Sequence, residues 1–136
     1  PRLVAEGAQL KTAEAAAAKL PAAHALWGIG TSMEPLYATN TAVVVEEISY
    51  DAIKKGMTVV YVKSNGRRVA HSVVGETRGG FLVQGVNNDE EDPELVTPDN
   101  FIGVITQAFA SADTTFRTET ERRLAAKGKV RIGGRT

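Results

Sequence analysis

Hydrophobic positions change their period twice along the chain, dividing it into three parts. Leu10 to Leu20 is alanine-rich with Lys11, Glu14 and Lys19 interspersed, a composition that favours helix because these side chains lose little freedom there. Pro21 interrupts that run, and Ala22 to Trp27 reads as a further helical turn closed by Gly28 and Gly30. From Thr41 the pattern shifts to strand-like runs, beginning with the β-branched Ala42–Val45 and continuing over Thr58–Val62, Arg68–Val74, Phe81–Gln84 and Phe101–Ile105. Asn65-Gly66 reads as a hairpin turn because both residues tolerate positive φ, and Gly79-Gly80 reads as a second turn. Thr118 to Lys127 returns to a helical pattern, with Glu119 and Arg123 one turn apart.

Short strands at this spacing predict a mainly β fold: a compact, bent antiparallel sheet or partial barrel with helical extensions at both ends. The expected divisions are an N-terminal helical extension over 1–27, a β domain over 28–110, and a charged helix and tail over 111–136. With 136 residues the chain fits one domain, large enough to bury about two thirds of its unfolded surface. The Ala110-Ser111-Ala112 stretch reads as a small-residue linker or, alternatively, a self-processing site.

Charge and composition narrow the function classes. Sixteen basic residues balance sixteen acidic ones, giving no broad electrostatic reason to expect a nucleic-acid partner. The chain has no cysteine and two histidines without a neighbouring carboxylate cluster, so no metal and no cofactor is expected. No apolar run approaches the roughly 20 residues needed to cross a bilayer. The first residues also lack a signal-peptide pattern. The expectation is a soluble protein of the cytoplasm or cell interior, or one associated with a virion.

Candidate chemistry centres on Gly30-Thr31-Ser32-Met33-Glu34-Pro35, a glycine-led turn carrying a serine. A hydroxyl is a weak nucleophile unless a base and an orienting group serve it; His71 and Asp92 are the candidates. Each has another reading: Ser32 as a turn or helix-cap serine, His71 as a half-buried strand residue, Asp92 as one of a solvated acidic run with Asp89, Glu90 and Glu91. His24 and Trp27 read as packing or docking residues, and Lys63 as a solvated residue before the hairpin turn.

Four boxes in order resemble the serine peptidase clan of type I signal peptidases and self-cleaving SOS-type repressor domains. The nucleophile turn is followed by Ile53-Lys54-Lys55-Gly56-Met57-Thr58-Val59-Val60-Tyr61, similar to the family's strand entry. Next come Arg68-Val69-Ala70-His71-Ser72-Val73-Val74-Gly75, similar to the base-bearing strand, and Gln84-Gly85-Val86-Asn87-Asn88 followed by Asp92, similar to the acidic loop. Histidine at the base position resembles the archaeal and endoplasmic-reticulum branch. The resemblance implies a peptidase of that fold type, with Ser32 as nucleophile, His71 as general base and acid, and Asp92 as orienter of the imidazole. Gly30, Thr31 and Ser32 would form the oxyanion turn. An extended peptide cleaved after small residues, especially Ala-x-Ala, is the implied substrate.

The sequence departs from the family pattern at Val86, where Asp is usual, at Met57 after Gly56 and at Ser72 after the base, and the membrane helix that precedes the nucleophile in signal peptidases is expected to be absent. These departures motivate an alternative of another class: a non-catalytic structural or assembly protein, for example of a virion, that retains the peptidase fold. Its partners would be other proteins, met through the terminal helices.

Overall fold

The computed structural model describes residues 1–28 and 40–112. Strand β1 (Arg2–Val4) leads to helix α1 (Gln9–Ala17) and strand β2 (Ala23–Trp27). The second stretch holds β3 (Thr41–Glu46), a single 3-10 turn at Tyr50–Ala52, β4 (Thr58–Val62), β5 (Arg68–Thr77), β6 (Gly80–Gln84) and β7 (Phe101–Ser111). Among the described residues the fold is mainly β, with one short N-terminal helix. The charged helix expected over Thr118–Lys127 lies outside the described residues.

Among the described residues seven strands form one open sheet: six follow the order β2-β3-β7-β4-β5-β6, every neighbour in that path antiparallel, and β1 joins it off that path. Strand β7 is its spine. One edge of β7 pairs with β3 through Val104–Ala110; Phe101–Val104 pairs with β4, and Phe109–Ser111 takes β1 in parallel. Register shifts at Val44/Val45, Val60/Tyr61 and Val73/Gly75 interrupt the ladders, a device that bends and twists a strand locally.

Residues 1–27 therefore contribute two strands to the sheet, not only helix. The helical turn expected over Ala22–Trp27 is corrected to β2. In that strand Ala23 and Ala25 pack toward α1 and Leu26 packs on the other face, the alternation a strand needs. Pairing with the Val43–Val45 run outweighs the weak helical preference of two alanines. Helix α1 ends at Ala17, before the expected Leu20. Its buried positions Gln9, Ala13 and Ala17 recur every four residues, and the two alanines pack against Ala42, Val44 and Phe109. The fully buried Gln9 amide is satisfied: Oε1 accepts from the Gly7 N–H at 2.7 Å, and Nε2 donates to the Asn40 carbonyl at 3.2 Å.

Elsewhere the expected strands form, several of them longer. Strand β7 runs to Ser111, so Ala110 and Ser111 are paired strand residues and the linker reading is corrected; the Ala112 N–H donates to the Val4 carbonyl at 2.6 Å. The β4–β5 hairpin turns through Ser64, Asn65 and Gly66, and Gly66 alone there has positive φ (85°). Asn65 contributes otherwise than expected, its Oδ1 accepting from the Arg67 N–H at 2.9 Å.

Candidate active site

Strands β4 and β5 share the face on which the site is built. Val59 and Tyr61 point into the same cluster as Val73, Phe81, Val83 and Val104. Val59 pairs with His71 and Tyr61 with Val69, so Tyr61 and His71 are diagonal neighbours across one ladder, within reach of long side chains. Val73 pairs with Val83 of β6, whose carbonyl accepts from the Asp92 N–H at 2.8 Å. That backbone bond sets Asp92 on the outer edge of β6, one strand beyond His71.

The side chains then converge. His71 Nδ1 lies 2.5 Å from Asp92 Oδ2, and the Tyr61 hydroxyl donates to the same oxygen at 2.5 Å. The His71 and Asp92 side chains are only 9% and 8% exposed, and Tyr61 is fully buried. Hydrogen bonds so withdrawn from water are electrostatically stronger than exposed ones. A carboxylate only accepts, so Nδ1 carries the proton and Nε2 the lone pair of the neutral ring. Burial first, and then the bond to Asp92, push the Tyr61 phenol well above its ordinary pKa, so it stays a donor.

The loop that delivers Asp92 is tied down at several points. Phe81 and Val96 exchange two backbone hydrogen bonds of 2.9 Å, and the Tyr50 hydroxyl donates to the Val96 carbonyl at 2.9 Å. Glu94 accepts from the Ser64 hydroxyl at 2.7 Å and from its N–H. Gly80 is required by this closure: its φ is 147°, and a Cβ there would stand 2.4 Å from the Val96 oxygen. Within the acidic run, Asp89, Glu90 and Glu91 are exposed while Asp92 turns inward. Asp92 is thus separated from the solvated acids beside it.

Of the residues singled out in the sequence, His71 and Asp92 meet. Gly30, Thr31 and Ser32 lie outside the described residues; Gly28, the last described residue before them, donates its N–H to the Thr41 carbonyl at 2.7 Å. Val86 is exposed. His24 stands in β2 opposite Val45, and Lys63 forms the base of the β4–β5 hairpin. The sequence alone gives Tyr61 no site role, although its alternation with Val59 is a usable signal. An inward-facing tyrosine needs a partner for its hydroxyl.

Among the described residues no three histidine, aspartate or glutamate side chains gather as a metal would need, and no helix is long and apolar enough to cross a membrane. Comparison with family models, curated proteins and solved structures finds no match to this chain.

Proposed function

We propose that this chain is a serine endopeptidase of the signal-peptidase and repressor-peptidase type, cleaving an extended peptide after small residues. The observation that carries the reading is the 2.5 Å contact between His71 Nδ1 and Asp92 Oδ2. Two residues from different elements, paired only by their order among four motifs, meet at the ring nitrogen that an orienting carboxylate would hold.

The chemistry assigns one step to each group. Ser32 Oγ attacks the scissile carbonyl and passes its proton to His71 Nε2, while Asp92 steadies the imidazolium. The ring returns that proton to the leaving amine. Water, deprotonated by the same ring, then hydrolyses the acyl-enzyme and releases the serine. The N–H of Ser32 supplies an oxyanion donor, with the Thr31 hydroxyl beside it in sequence.

Steady-state cleavage of an extended peptide containing Ala-x-Ala tests the reading. Ser32→Ala and His71→Ala are expected to lower turnover by on the order of 10⁴ or more, and Asp92→Asn by about 10⁴, with the folded state retained. Cleavage unchanged in Ser32→Ala would remove the serine mechanism. No cleavage by the wild type, together with stoichiometric incorporation of Ser32→Ala into a larger assembly, would favour the structural role instead.

A further inference from the structure

We propose that Tyr61 is a positioning residue that acts through Asp92: its hydroxyl fixes the carboxylate so that Oδ2 faces Nδ1, holding the His71 ring in the tautomer with its lone pair on Nε2. The catalytic consequence rests on the serine-peptidase reading above; the effect on the ring does not.

The geometry carries the inference in three steps. Asp92 comes from a loop, and the terminal torsion of an aspartate is broad, so the backbone bond to Val83 places its Cα without fixing its oxygens. Tyr61 is the opposite kind of residue. It lies in β4, fully buried, with its ring enclosed by the cluster around Val73 and Val83. Its hydroxyl is therefore a rigid reference point.

That hydroxyl lands on the oxygen His71 also uses. Sharing Oδ2 brings phenol, carboxylate and imidazole to one point. Burial keeps the phenol protonated, so the donor persists throughout the range in which histidine works as a base. Rigid groups behind a catalytic set are what hold its geometry to fractions of an ångström.

Nitrogen-15 NMR of the His71 ring in the full chain tests this in wild type, Tyr61→Phe, Asp92→Asn and the double variant. The wild-type neutral ring is expected as the Nδ1–H tautomer. Tyr61→Phe is expected to show a measurable Nε2–H population, with turnover lowered roughly 10- to 100-fold and KM little changed. In the Asp92→Asn background the same substitution should move neither the tautomer nor turnover further, since residues acting through one partner are not additive.

An unchanged tautomer in Tyr61→Phe, or full additivity with Asp92→Asn, would overturn the proposal and leave Tyr61 as packing. Should Tyr61→Phe not fold, the wild type alone decides: a slowly exchanging Tyr61 hydroxyl proton close to the Nδ1–H supports the assignment, and a freely exchanging one overturns it. A chain without peptidase activity would still give these ring and hydroxyl results, so failure of the catalytic reading is seen separately.

Discussion

Tyr61 is enclosed by the sheet with its hydroxyl on a carboxylate, so ionising it would bury a second negative charge beside the first. Its folded pKa is raised above the unfolded value of about 10. Below pH 10 both folded and unfolded chains hold the proton, and the stabilisation is intact. Above pH 10 the unfolded chain loses the proton first, so stability falls as pH rises toward the folded pKa. Tyr50 is shifted in the same direction, by burial and then by Glu76 and Asp51. Chemical denaturation of wild type and Tyr61→Phe across pH 8–11 separates the two tyrosines. Wild-type stability is expected to drop more steeply above pH 10; parallel curves would contradict the Tyr61 assignment.

The site was partly legible at this scale. His71 and Asp92 stood out through the order of the motifs around them, and they meet. Tyr61 lies in the strand-entry motif without an evident role, because a tyrosine in a β-branched run reads as core until its hydroxyl is given a partner. Gly30, Thr31 and Ser32 fall outside the described residues.

At the scale of elements, the site depends on a loop fastened along β6. Phe81 and Val96 clasp backbone to backbone only because Gly80 has no side chain at the point of approach. Gly80→Ala combines an unfavourable φ with a contact of 2.4 Å to the Val96 oxygen. It is expected to cost about 1–3 kcal/mol, seen as a thermal midpoint lowered by several degrees, and to reduce turnover with Asp92 displaced. A variant as stable and active as wild type would show that the clasp does not govern the site.

The alternation of β4 and β5 and the turn glycines made the central hairpins legible. Strand β2 was not, because Ala23-His24-Ala25 carries no β-branched residue and its conformation is imposed by pairing with β3. The second half of β7 was hidden for a similar reason: Ala108, Ala110 and Ser111 look like linker until β1 and β3 flank them.

For the whole molecule, β7 joins the helix-covered half of the sheet to the half that bears the site. Phe109 is 1% exposed and packs with Ala13, Ala17, Ala42 and Val44, far along β7 from the strands that carry Tyr61 and His71. Phe109→Ala is expected to destabilise the fold by about 3–5 kcal/mol, a large share of a typical domain's 5–15 kcal/mol. Urea unfolding followed at the tryptophan and by backbone circular dichroism should show one shared, lowered midpoint. Two separate transitions would mean that the halves of the sheet are not one cooperative unit.

The central claim, that His71 and Asp92 serve Ser32 as a catalytic base and its orienter, is reached most directly by intact-mass detection of a fluorophosphonate adduct. Wild type is expected to take up one equivalent, mapped to Ser32, with none in Ser32→Ala and labelling slowed by on the order of 10³ or more in His71→Ala. Equal labelling of Ser32→Ala, or a rate indifferent to His71, would contradict it.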